Sequence, residues 1–147
     1  NNEDLVSVKN KFKLYNNKLL REYGYSAGEA LDITNQIDNF YADIANNSLT
    51  QDDLLDTEKY YNIVDKTVLN KIFTNLDVNN YLRELNLSSV NRFSLVDEKC
   101  YQRLNEYLTN KNLSLWKNLA TVKILQTYAN YTTEGYQKIF NKLNDSL

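Results

Sequence analysis

From Leu113 to Tyr131 the chain reads L-S-L-W-K-N-L-A-T-V-K-I-L-Q-T-Y-A-N-Y. Leu115, Leu119, Val122 and Ala129 return at three-, four- and seven-residue steps, which places them on one helical face. Trp116, Ile124, Leu125 and Tyr128 widen that stripe until the segment is apolar around much of its circumference. Such a helix predicts the buried centre of a helical domain, with other helices packed around it.

The same period organises most of the remaining chain. Leu5, Val8, Phe12, Tyr15 and Leu19 share a face and predict a first helix from Asp4 to Glu22, with lysines on its other side. Gly24 fits the left-handed position just past its end. Ser26-Ala27-Gly28-Glu29 has capping-box spacing and starts a second, antiparallel helix with Ala30, Ile33, Ile37, Phe40, Tyr41 and Ile44 inward. The polar, acidic stretch from Asn46 to Lys59 reads as a surface connection holding at most a helical turn, and Tyr60 to Val64 as an ordered loop. Asp65 is an N-cap for a helix with Val68, Ile72 and Leu76 on one stripe and Leu69 and Phe73 on another. Asp77 caps a short helix carrying Val78, Tyr81, Leu82 and Leu85, and Asp97 caps one with Cys100, Leu104 and Leu108 on a face beside Tyr101 and Tyr107. Between them Asn91 to Val96 alternates polar and apolar, which predicts a brief strand. Thr109 to Asn112 is a turn. Thr132-Thr133 breaks the central helix and is expected to cap a last one with Tyr136, Ile139, Phe140 and Leu143 inward. The expected fold is mostly α: a single multi-helix domain of about six helices with at most one short β element near Phe93–Val96.

Composition supports that picture. The 147 residues include no proline and three glycines, and 17 basic against 19 acidic residues leave a net charge of −2. That balance predicts a soluble protein with no pull toward nucleic acid or lipid, and no apolar run approaches a membrane span. Asn, Lys and Tyr are abundant, as an AT-rich coding bias would produce. The same bias explains the five Asn-x-Ser/Thr triplets, at Asn46, Asn86, Asn112, Asn130 and Asn144, as chance matches.

Candidate chemistry is sparse. There is no histidine, which removes the H-E-x-x-H zinc site and the usual proton shuttle. No glycine-rich phosphate cradle is present. Cys100 is the lone cysteine and reads as a small core residue rather than a nucleophile. Asp52, Asp53, Asp56 and Glu58 form the densest acidic run but lack calcium-loop spacing, and read as acids that favour a first helical turn. Tyr60, Tyr61, Tyr101, Tyr107, Tyr128, Tyr131 and Tyr136 fit the edge of a helical core better than a base-stacking groove, because no basic stripe accompanies them. The residues alone therefore predict no catalytic and no metal site. They leave open a free-standing helical interaction module with a Tyr-lined surface.

The order of these segments resembles the N-terminal, non-catalytic region of the neprilysin-like zinc metallopeptidases, a family that includes neprilysin, endothelin-converting enzyme and PepO. Leu19 to Ala30 resembles its "LL-x-x-x-G-x-s-x-x-e-A" segment, and Ile37 to Ala45 is similar to the helix leading to "E-x-x-L-A", with Asn39 or Tyr41 where the acid would stand. Tyr60-Tyr61-Asn62 resembles the "Y-N" loop, and Asp77 to Leu85 the "D-x-x-x-y-L" helix. Phe93 to Val96 followed by Tyr101 and Leu104 resembles the strand-to-helix passage, and the central helix resembles the family's aromatic-bearing helix, with Trp116 shifted. The resemblance implies that 1–147 is a fragment of the helical N-terminal lobe of a zinc endopeptidase, bacterial and either cytoplasmic or secreted. The implied partners are a C-terminal catalytic domain of the same polypeptide, which would carry the zinc, and small peptide substrates. The chain itself has neither zinc-binding motif nor the "N-A-x-Y/F" substrate motif, and is expected to be inactive alone.

Overall fold

The computed structural model describes residues 2–147, with side chains from Asp4 onward. Among the described residues the elements run α1 Asn2–Tyr23, α2 Ala27–Asn46, α3 Thr57–Tyr60, β1 Asn62–Val64, α4 Lys66–Ile72, α5 Val78–Glu84, β2 Phe93–Leu95, α6 Glu98–Tyr107, α7 Leu113–Tyr128 and α8 Glu134–Asn144, with short 3-10 turns between some of them. The mostly α expectation is borne out, with eight α-helices where about six were expected. The residues form two compact units: 1–40 with 113–147, and 41–112.

In the first unit, α1 stops where sequence predicts. Gly24 takes φ +120°, and the Gly24 and Tyr25 N–H groups donate to Arg21 and Leu20 carbonyls at 3.1 Å each. That pair of bonds is the Schellman arrangement, which satisfies carbonyls left open at a helix end. The capping box then forms reciprocally: Ser26 N–H donates to Glu29 Oε2 at 2.9 Å, and Glu29 N–H to Ser26 Oγ at 3.2 Å. α1 and α2 run back along each other with Lys13 paired to Asp38 at 3.0 Å. α1 packs mainly on α8 and α7. Tyr15, Leu19, Ala129 and Leu143 form a core against which Leu125, Tyr136, Ile139 and Phe140 lie. Leu19 and Leu20 are fully buried, each stabilising by about 1.5–3 kcal/mol. Phe40 meets Trp116 edge-on at 5.6 Å.

Three expectations are corrected by the burial of these helices. Leu115, Leu119, Val122 and Ala129 are all buried, but α7 is not enclosed on every side: Leu113, Ile124 and Tyr128 are more than half exposed. The four buried residues already use the face that meets its neighbours. The inward stripe of α1 likewise holds only at Tyr15 and Leu19; Phe12 and Val8 are over a third exposed and Leu5 is 70 % exposed, because the covering elements do not extend to that end. On α2, Ala30, Ile33, Ile37 and Phe40 are buried as expected, while Tyr41 is 47 % exposed.

The second unit is built from short pieces. Four Asp side chains start its helices: Asp56 accepts from Glu58 N–H, Asp65 from Val68, Asp77 from Asn80 and Asp97 from Cys100, at 2.9–3.1 Å. The Asp65, Asp77 and Asp97 caps stand where they were expected, and the acidic connection supplies Asp56. Leu69, Ile72, Val78, Leu82 and Leu95 make the core, with Val68, Phe73, Phe93 and Tyr101 against it. The strand expected near Phe93–Val96 is β2, and it is paired antiparallel with β1, Asn62 opposite Leu95 and Val64 opposite Phe93. β1 occupies the segment expected to be an ordered loop. A strand needs a partner for its backbone groups, and that partner lies some thirty residues on. α4 ends at Ile72, before Leu76, because the Asn75 N–H is taken by the Asn105 side-chain oxygen at 2.9 Å. α5 ends in a second Schellman pair, with Asn86 at φ +58° and the Asn86 and Leu87 N–H groups donating to Arg83 and Leu82.

Candidate functional site

The densest polar cluster joins the C-terminal end of α2 to α6. Asp43 Oδ2 accepts from Arg103 Nε at 2.7 Å and from the Tyr107 hydroxyl at 2.5 Å. Arg103 also pairs with Glu106 and sits over the Tyr107 ring, 5.5 Å from its centre. The hydrogen bonds from Arg103 and then Tyr107 hold the Asp43 carboxyl below its ordinary range. The bonds to Asp43 and Glu106 raise the Arg103 guanidinium, and the bond to Asp43 raises the Tyr107 hydroxyl. Each shift fixes the protonation state that each group already has near neutrality. A general acid or base needs the opposite, a proton poised to leave near the working pH. The cluster can therefore fasten α6 to the segment around Asp43 within the second unit, and it has no group suited to proton transfer.

A second network is built on Asn105, between Arg103 and Tyr107 on the opposite side of α6. Asn105 is buried: its Oδ1 accepts the Asn75 N–H, its backbone carbonyl accepts from Asn75 Nδ2 at 2.9 Å, and its own amide donates to Thr74 Oγ1 at 3.0 Å. Asp97 does double service, its second oxygen taking the Leu49 N–H at 2.5 Å. Cys100 is half-buried, with Sγ 3.2 Å from the Ser48 hydroxyl that donates to it.

The residues weighed in sequence fall into these structural roles. In the acidic run, Asp53 accepts from Thr50 N–H and Oγ1 and pairs with Lys59 at 2.6 Å, and Asp56 caps α3. The bond from Lys59, followed by those from Thr50, holds the Asp53 carboxyl well below the usual carboxylate range. Asp53 thus divides its oxygens between Thr50 and Lys59, and Asp56 starts a helix. The tyrosines do not gather in one unit. Tyr101 stacks near Phe73 at 5.8 Å and Tyr107 belongs to the Asp43 cluster, whereas Tyr136 packs on the first core, where burial raises its hydroxyl pKa. Tyr61, Tyr128 and Tyr131 are largely exposed. Sequence reasoning missed Asp43 and Asn105. Both act through partners distant in the chain, and no local spacing marks them.

In the first unit a cleft runs between α1 and α8, with Leu14, Ile139 and Leu143 in its floor and Lys11, Lys18 and Lys142 beside it. Another opens between α1 and α2, lined by Asn10, Leu14, Asn17, Leu31 and Thr34. Among the described residues, no three of His, Cys, Asp and Glu are placed to hold a metal ion, and no helix is long and apolar enough to cross a membrane.

Neither the curated proteins nor the solved structures give a match to this chain. The family model for the N-terminal part of peptidase family M13 matches residues 1–147, the whole chain. The resemblance carried by the Leu19–Ala30, Asp77–Leu85 and Phe93–Leu104 segments and the helical architecture lead to the same place: the chain belongs to peptidase family M13 and is a helical N-terminal region of that family.

Proposed function

We propose that this chain is the non-catalytic helical lobe of a zinc-dependent peptidase of PepO-like type, bacterial in origin, and that it walls the chamber in which small peptides are cut. The observation that carries the reading is the family match over the entire chain. The chemistry of the chain supports a non-catalytic part. It has no histidine, and the carboxylates of Asp56, Asp65, Asp77 and Asp97 serve as helix caps while that of Asp43 pairs with Arg103.

Zinc does not fit the residues present, since no described group of three ligands could hold it. The metal, and the activated water it supplies, would belong to a catalytic domain in the same polypeptide. The role of this chain's residues is to hold each unit in shape: α1, α7 and α8 through the Leu19 core in one, and α4–α6 through their caps and the Asn105 network in the other. The exposed apolar residues Leu113, Ile124 and Tyr128 on α7 suit contact with further protein.

The purified chain, supplied with zinc and a fluorogenic peptide, is expected to give no hydrolysis. Adding the catalytic region encoded in the same gene is expected to produce it. Hydrolysis or stoichiometric tight zinc binding by the chain alone would overturn the reading. A gene encoding no zinc-binding motif would favour a free-standing interaction module instead.

A further inference from the structure

α1 and α8 lie antiparallel: Lys11 donates to the Ser146 carbonyl near one end, and Glu22 lies against Gly135 near the other. The cleft between them combines two features. Its floor is apolar, from Leu14, Ile139 and Leu143, and Leu14 is 56 % exposed. Its rim carries three ammonium groups, Lys11, Lys18 and Lys142. No carboxylate lines it, and among the described residues none of the three lysines is in an ion pair. This local excess of positive charge stands on a chain whose net charge is −2.

A ligand complementary to both features has an apolar group flanked by carboxylates. A nucleic-acid backbone would leave the floor unused. The stretch of α1 from Lys11 to Lys18 is about 10 Å long, two helical turns, which a long acyl chain would overrun. An amphipathic helix presents apolar and acidic side chains at this repeat, one turn apart. We propose that the α1–α8 cleft docks an acidic amphipathic helix of a partner protein, with a Leu-type side chain over Leu14 and Ile139 and carboxylates against Lys18 and Lys142. The inference stands on the cleft itself and does not depend on the peptidase reading.

The probe is a short blocked helix-forming peptide of Leu and Glu, titrated into the full chain and followed by amide chemical shifts. Its Leu/Lys counterpart, dodecanoate and anionic phospholipid vesicles serve as comparisons. Saturable shifts confined to residues around Leu14, Ile139 and Leu143 are expected with the Leu/Glu peptide. Binding is expected to weaken about tenfold in the Lys18→Glu/Lys142→Glu variant, at one half-buried and one exposed lysine, whose fold circular dichroism can verify, and to fall with added salt. Absence of saturable shifts would overturn the proposal. So would equal binding of the Leu/Lys peptide, or full affinity in the double variant. Binding of dodecanoate or vesicles without the peptide would replace the peptide helix with a lipid ligand.

Discussion

The two units solve the same problem, forming helices from an Asn- and Lys-rich chain, in different ways. The first uses long elements: α1 and α7 have 22 and 16 residues, and it holds the 20-residue α2 as far as Phe40. The second uses α3, α4, α5 and α6, of 4, 7, 7 and 10 residues. Helices of that length do not sustain themselves in water, because the cost of nucleation is recovered only over many residues. Each therefore begins at an Asp whose carboxylate accepts a backbone N–H, and α6 is further fixed by Asn105 and by Asp43. In the first unit a side-chain cap matters less. α8 begins at Thr133 with no side-chain cap bond, and is held by Leu143, Ile139 and Phe140 on the core. Long helices are specified by apolar periodicity, and short ones by polar contacts with the backbone.

The largest expected effect lies in the first unit. Leu19→Ala, at a fully buried site, should cost about 2–5 kcal/mol in chemical denaturation. Hydrogen exchange should accelerate first in α1, α7 and α8; a loss spread equally over residues 41–112 would break the distinction. In the second unit Asn105→Ala should cost about 1–3 kcal/mol, because the buried Asn105 side chain gives up its bonds to the Asn75 N–H and Thr74 Oγ1. A matching loss of protection near Phe73–Asn75 would tie that cost to the network.

The caps sharpen the contrast. Asp97→Ala removes acceptors from both Cys100 and Leu49 and should cost about 1–2 kcal/mol. Ser26→Ala removes one side of the capping box on the 20-residue α2 and should cost about 0.5–1 kcal/mol. A larger loss from Ser26→Ala than from Asp97→Ala would mean that helix length does not decide dependence on caps.

Acid should separate the units most gently. Asp43, Asp53 and Asp65 in the second unit, and Glu29 in the first, have folded-state pKa values below their ordinary ones, each chiefly through hydrogen bonds from neighbours. A lowered carboxyl stabilises the fold above its unfolded value, near 4, and that stabilisation is lost as pH falls through the folded value. Amide exchange measured on descending pH should therefore rise first in residues 41–112. Equal acid sensitivity in both units would contradict the assignment of these bonds.

This division also explains what was legible in the sequence. The α1 stop at Gly24, the Ser26 box, the Asp65, Asp77 and Asp97 caps and the three buried residues of α7 are local signals, readable over a few turns. β1 was not legible, because Asn62-Ile63-Val64 becomes a strand only through pairing with Phe93–Leu95. Asn105 and Asp43 resemble the many other polar residues of the chain until Asn75 and Arg103 are brought beside them. The exposed side of α7 was misread for a related reason: apolar periodicity records which residues can be buried, and the neighbours decide which are. Functional identity came from the order of segments across the chain and the family match, with no reactive group to announce it.

The most direct test of the central claim compares the catalytic region of the same gene with and without this chain. Both preparations would be assayed on a small fluorogenic peptide and on an unfolded protein substrate. A chamber wall predicts that the chain preserves or restores cleavage of the small peptide while suppressing that of the protein. An unchanged ratio of the two activities would contradict the account.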